Sequence, residues 1–182
     1  FKYLPSAVNE KDEEAIEMMG LAQYIAGMGF SNVGLGIVHS MAHQLGAVYN
    51  LPHGVCCAMI LPVVEKENAK RVPEAFRNVA KALGLHTEGK SDQECAAYAI
   101  SEIEKLSETV GIPKKLTELD IKEEEFNFEY LSKNALIDAG IGKEVSGSFV
   151  KSLRQTVFSI EVTGSEAERK DLFIKTVYKT LQ

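Results

Sequence analysis

Three of the chain's four histidines, His39, His43 and His53, fall within one short run between Phe30 and Ala58. Imidazole is the commonest side-chain metal ligand, and its ordinary pKa lies nearest neutral pH, so this concentration points to metal binding or to proton transfer. His39 and His43 are four residues apart in a stretch where Leu35, Val38, Ala42, Leu45 and Tyr49 recur at helical spacing. Both rings therefore leave one helix face about one turn apart. Asn50-Leu51-Pro52 ends that helix, because proline cannot continue it and forces the residue before it into an extended conformation. A second apolar segment starts at His53 and returns antiparallel if the turn is tight, which places His53 at a helix start near the other pair. Spacing alone leaves three readings open: a metal site, a proton relay, or core histidines each with one satisfied hydrogen bond. A catalytic metal normally takes three protein ligands plus an open position.

The elements that must hold these residues read as helices joined by short turns, with no period-2 alternation. From Glu10 to Met28, Ala15, Met18, Met19, Ala22, Ile25 and Ala26 form a stripe as wide as a buried helix face. The segment from His53 to Ala69 carries Val55, Met59, Ile60 and Val63 on one side, with Pro62 marking a kink or a second start. Pro73 suits a first-turn position, and Ala75, Phe76, Val79, Ala80 and Leu83 follow as the apolar residues before Gly84 closes the helix. Ser91-Asp92-Gln93-Glu94 is a capping-box pattern opening a helix with Cys95, Tyr98, Ala99, Ile103, Leu106 and Val110 inward, stopped by Gly111-Ile112-Pro113. Glu123-Glu124-Glu125 reads as the solvated first turn of a helix that runs to about Ala139. Beyond Gly140, Val150, Leu153, Val157 and Phe158 predict one short helix, and Ser165-Glu166-Ala167-Glu168 caps a last one. The expectation is an all-α fold, with residues 1–182 forming a single multi-helix domain.

Composition narrows the function classes. Apolar residues at 45% and charged residues at 25% are an ordinary globular balance. A net charge of −6 and the lack of a Lys/Arg cluster argue against a nucleic acid or an anionic membrane surface as partner. No apolar run has membrane-spanning length, and a cytoplasmic location is expected. Cys56, Cys57 and Cys95 have no zinc-ribbon or redox-pair spacing, and are expected to be small buried side chains in a reducing compartment. The chain opens at Phe1 without a methionine and enters an amphipathic helix within a few residues, as part of a longer polypeptide would.

The run from Gly27-Met28-Gly29-Phe30-Ser31-Asn32, through the spaced histidines, to Pro52-His53-Gly54 resembles the metal-binding motif of the iron-containing (group III) alcohol dehydrogenases. The resemblance is strong from about Glu14 to Asn68 and moderate to Ala139. It implies the C-terminal helical domain of that family, sharing the dehydroquinate-synthase-like architecture. It further implies that His39 and His53 ligate a divalent metal, Fe2+ or Zn2+, that His43 lies near the nicotinamide of NAD(H) as the proton carrier, and that Phe30 lines the cleft for substrate and nicotinamide. The implied activity is NAD-linked oxidoreduction of small aldehydes, primary alcohols or 1,2-diols, in a protein that oligomerises with itself when intact.

Family members draw two further ligands, an aspartate and a histidine four residues later, from sequence before this motif, and a glycine-rich nucleotide-binding domain from before that. No Asp-x-x-x-His occurs in the chain, and its remaining histidine, His86, is expected at the surface. The chain is therefore expected to hold half the ligands, to lack the N-terminal nucleotide-binding domain and to be inactive alone. The family's Asn-Pro-Arg segment after the position of Gly140 is also missing. Two other readings stay open: a stand-alone helical metal-binding or scaffold protein without catalysis, and a glycerol-dehydrogenase-like zinc enzyme or dehydroquinate-synthase-like lyase.

Overall fold

The structure, a computed structural model, describes residues 1–138, and every regular element in that span is helical. The helices expected around Val150–Phe158 and after Ser165 lie outside the described residues. A short π-helical turn at Ser6–Glu10 precedes α1 (Glu13–Val33), followed by α2 (Ile37–Tyr49), α3 (His53–Ala69), α4 (Pro73–Ala82) and α5 (Asp92–Thr109). Two 3-10 turns, Leu116–Leu119 and Glu123–Glu125, then lead to α6 (Phe128–Asp138).

The turn between α2 and α3 decides where the histidines go. α2 stops at Asn50, whose backbone is left-handed at φ 53°, a conformation asparagine tolerates better than most residues. Gly46 lies where a Cβ would come 3.3 Å from the Leu51 carbonyl oxygen, so the absent side chain lets the returning chain pass close to α2. Pro52 takes an extended conformation, and its carbonyl accepts from the N–H groups of Val55 and Cys56 at 3.0 and 3.1 Å, which starts α3 at His53. α3 continues through Pro62 without a second start.

The main core lies between α2, α3 and the C-terminal elements. Met41, Leu45, Cys56, Ile60, Val64, Leu116, Leu131 and Ala135 are fully buried there. Residues at this depth each stabilise the fold by roughly 1.5–3 kcal/mol for a large aliphatic side chain. α4 and α5 form a hairpin with smaller clusters, Phe76 against Ala96 and Ile100, and Ala80 against Cys95 and Ala99. The Ser91 and Glu94 capping box is formed as predicted, with Glu94 N–H donating to Ser91 Oγ at 3.2 Å and Ser91 N–H donating to Glu94 Oε2 at 2.7 Å. Arg77 braces the loop between these helices by donating to the carbonyls of Thr87 and Lys90 and pairing with Asp92.

Three expectations need correction. Glu123–Glu125 is not the first turn of α6: burial of Phe126, stacked on Tyr49 with ring centroids 5.5 Å apart, interrupts the chain, and α6 starts afresh with Asn127 Oδ1 accepting from Tyr130 N–H at 3.0 Å. On α5, Tyr98 faces solvent, while Ala96 and Ile100 join Cys95 and Ala99 in the buried face. The α1 stripe is buried only at Ala15; Ala22, Ile25 and Ala26 are exposed, as are Ile16, Leu21, Tyr24 and Met28. Among the described residues, no single helix is long and apolar enough to cross a membrane.

Candidate metal centre

His39 sits in the first turn of α2, and His53 is the first residue of α3, so the tight turn folds the two helix beginnings onto a common patch. Their ring centroids are 5.5 Å apart. His43, one turn along α2, has its centroid 5.3 Å from that of His53 and 6.2 Å from that of His39. The sequence therefore placed all three imidazoles correctly in one cluster.

Within the cluster the nitrogen atoms divide. Ligand atoms of His39, His53 and Cys57 all lie within 4.8 Å of one another, close enough to converge on one ion. His43 stands outside that group, its Nδ1 2.7 Å from Oδ2 of Asp138 at the end of α6. The donor set of two imidazoles and a thiol fits a borderline divalent cation such as Zn2+ or Fe2+ and fits a hard cation poorly. Burial, followed by the like charges of His53 and His43, pushes the pKa of His39 below its ordinary value. The shift favours the neutral ring, the form with a lone pair available to a metal.

Phe30 lies in the last turn of α1 with its ring centroid 6.5 Å from that of His39. Gly34, whose φ of 80° suits glycine, ends α1, and its N–H donates to the Phe30 carbonyl at 2.7 Å. His86 is exposed, as expected.

Two neighbours of the histidines were not singled out from the sequence. Asp138 is 95 residues from His43, and no local pattern links them. Cys57 was grouped with the buried cysteines, yet only Cys56 and Cys95 are buried; Cys57 is half-buried, its Sγ 3.5 Å from Nε2 of His53. Its i, i+4 spacing from His53 was the available signal. Burial pushes the Cys57 thiol pKa up, and that of Cys56 to about 11.

Residues 1–157 match the family described as Fe-containing alcohol dehydrogenase family, C-terminal. The chain belongs to that family. It is similar to lactaldehyde reductase of Escherichia coli (strain K12), 45% identical over 131 residues, which covers 72% of this chain and 34% of that protein. It is also similar to the NAD-dependent methanol dehydrogenase of Bacillus methanolicus, 44% identical over 138 residues, which covers 75% of this chain and 36% of the relative. Among solved structures, a 1,3-propanediol oxidoreductase superposes with a TM-score of 0.74 at 34% identity, over 98% of this chain and 41% of that one. The all-helical architecture expected from the sequence is thus shared with family structures. The chain spans about a third of the length of the curated relatives it matches.

Proposed function

We propose that the chain is the metal-binding helical domain of a nicotinamide-linked oxidoreductase that interconverts small primary alcohols or 1,2-diols and their aldehydes. The observation that carries this reading is the division within the histidine cluster. His39 and His53 direct ligand atoms toward one point, and His43 is held apart by Asp138. The printed names of the relatives, lactaldehyde reductase and NAD-dependent methanol dehydrogenase, support the substrate class and the cofactor.

In this reading His39 and His53 hold a divalent cation, Fe2+ or Zn2+, with further ligands and the NAD(H) site coming from a nucleotide-binding half outside this chain. When bound, the cation supplies Lewis-acid polarisation of the substrate oxygen. Asp138 Oδ2 accepts a hydrogen bond from the Nδ1–H of His43, which leaves the other ring nitrogen free to exchange a proton with substrate or solvent. Phe30 offers an apolar, exposed ring beside His39, suited to covering the nicotinamide or substrate from water. The uncovered apolar side chains of α1, among them Ile16, Leu21 and Ile25, are where the nucleotide-binding half packs.

The test is reconstitution. Joined to a nucleotide-binding half, the chain is expected to oxidise 1,2-propanediol with NAD+, and to lose that activity on His39→Ala or His53→Ala. Alone it is expected to turn over nothing measurable, because no nucleotide is positioned. Turnover by the isolated chain at the reconstituted rate contradicts the proposal.

A further inference from the structure

We propose that Cys57 is a third metal ligand, giving this chain a His39, His53, Cys57 donor set of its own and tilting the site toward zinc. The inference rests on the reading of His39 and His53 as ligands and adds a residue and a metal preference to it.

The geometry comes from the first turn of α3. His53 and Cys57 are separated by four residues at the start of α3, so their side chains leave the same face one above the other. The Cys57 Sγ to His53 Nε2 distance is 3.5 Å. A tetrahedral zinc with ordinary Zn–S and Zn–N bonds holds a sulfur and a nitrogen about 3.5 Å apart across the ion. The third member, His39, places a ring nitrogen within 4.8 Å of both.

The neighbouring side chains make the choice of Cys57 specific. Cys56 is fully buried in the main core with Met41 and Leu45 and is not part of the converging group. Cys57 is half-buried, open to an arriving ion yet partly shielded from water. His43 lies as near to His53 by ring centroid, but its Nδ1 is engaged by Asp138 and it is not part of the converging group. Two imidazoles alone do not distinguish iron from zinc, whereas a thiolate is a soft donor that favours zinc. Ion binding exchanges the S–H proton of Cys57 for a sulfur–metal bond and releases that proton to solvent, with no change of oxidation state.

The experiment uses the full 182-residue chain titrated with Co2+, a spectroscopic stand-in for zinc. The expected result is a thiolate-to-cobalt charge-transfer band in the near ultraviolet that persists in Cys56→Ala and disappears in Cys57→Ser. Zinc affinity should fall at least about tenfold in Cys57→Ser. In the unsubstituted chain, zinc should slow alkylation of Cys57 by iodoacetamide, a readout that needs no variant to fold. Visible cobalt bands that depend on His39, without a charge-transfer band and without protection of Cys57, overturn the third ligand and leave the histidine pair standing. If no cobalt spectrum develops in the unsubstituted chain, the three-donor set is overturned, and the histidine pair stands as half of a site completed by the nucleotide-binding half.

Discussion

His43 Nδ1 lies 2.7 Å from Asp138 Oδ2, joining the middle histidine of the cluster to the last turn of α6. A carboxylate only accepts hydrogen bonds, so the neutral His43 ring carries its proton on Nδ1 and presents Nε2 with a lone pair. Both side chains are substantially exposed, and the pair contributes no more than about 1 kcal/mol to stability. Its consequence is orientation. In Asp138→Asn, long-range proton–nitrogen correlation spectra should show the Nδ1–H tautomer of His43 losing its dominance, with Tm nearly unchanged. In the reconstituted enzyme, the same substitution should lower kcat by about tenfold or more, with a smaller effect on KM. An unaltered tautomer balance contradicts the positioning role.

The α2–α3 turn depends on Asn50 at φ 53°. Asn50→Ala should cost about 1 kcal/mol through the left-handed backbone, while Asn50→Gly should cost nothing. Because this turn sets His53 against His39, Asn50→Ala should also weaken zinc binding more than Asn50→Gly does. Urea unfolding of both variants, paired with zinc titration, checks the two effects together.

Glu65 on α3 has its pKa raised by burial, which outweighs the hydrogen bond donated to its carboxylate by Asn68 at 3.2 Å. A carboxyl group whose pKa is higher folded than unfolded stabilises the fold below its unfolded pKa, and that contribution is lost as pH rises through the folded value. Glu65→Gln should therefore raise Tm at pH 7 by about 1–2 °C, and the gain should vanish near pH 4. A gain that persists in acid shows that packing, and not ionisation, was at issue.

α1 has Ala15 as its one buried residue among those described, with Ile16, Leu21, Tyr24, Ile25 and Met28 exposed. Local stability follows buried contacts, so α1 amides should exchange hydrogen far faster than those of α2 and α3 around Met41, Leu45 and Ile60. Addition of a nucleotide-binding half should slow exchange in α1 selectively. Equal protection of α1 and α3 in the chain alone contradicts the view of α1 as an uncovered face.

The parts of the site that were legible from sequence are the local ones. Helical spacing placed His39 beside His43, and Asn50-Leu51-Pro52 announced the turn that returns His53, because proline acts on the backbone within a few residues. The start of α3 at His53 and the Ser91 cap came from the same kind of signal. The Asp138 partner depends on packing of α6 against α2, which no short-range pattern encodes. Phe126 broke the expected α6 start for a similar reason: its ring found Tyr49 in the tertiary fold, overriding the helix-favouring glutamates before it. The α1 stripe had the right periodicity, but periodicity shows which face is apolar and not what covers it.

The account stands most directly on the division of labour among the three imidazoles. Equilibrium dialysis of the chain against zinc, with bound metal counted by mass spectrometry, should show binding weakened at least about tenfold by His39→Ala and by His53→Ala, and unchanged by His43→Ala. Zinc binding lost equally on His43→Ala, or retained when His39 and His53 are replaced, contradicts it.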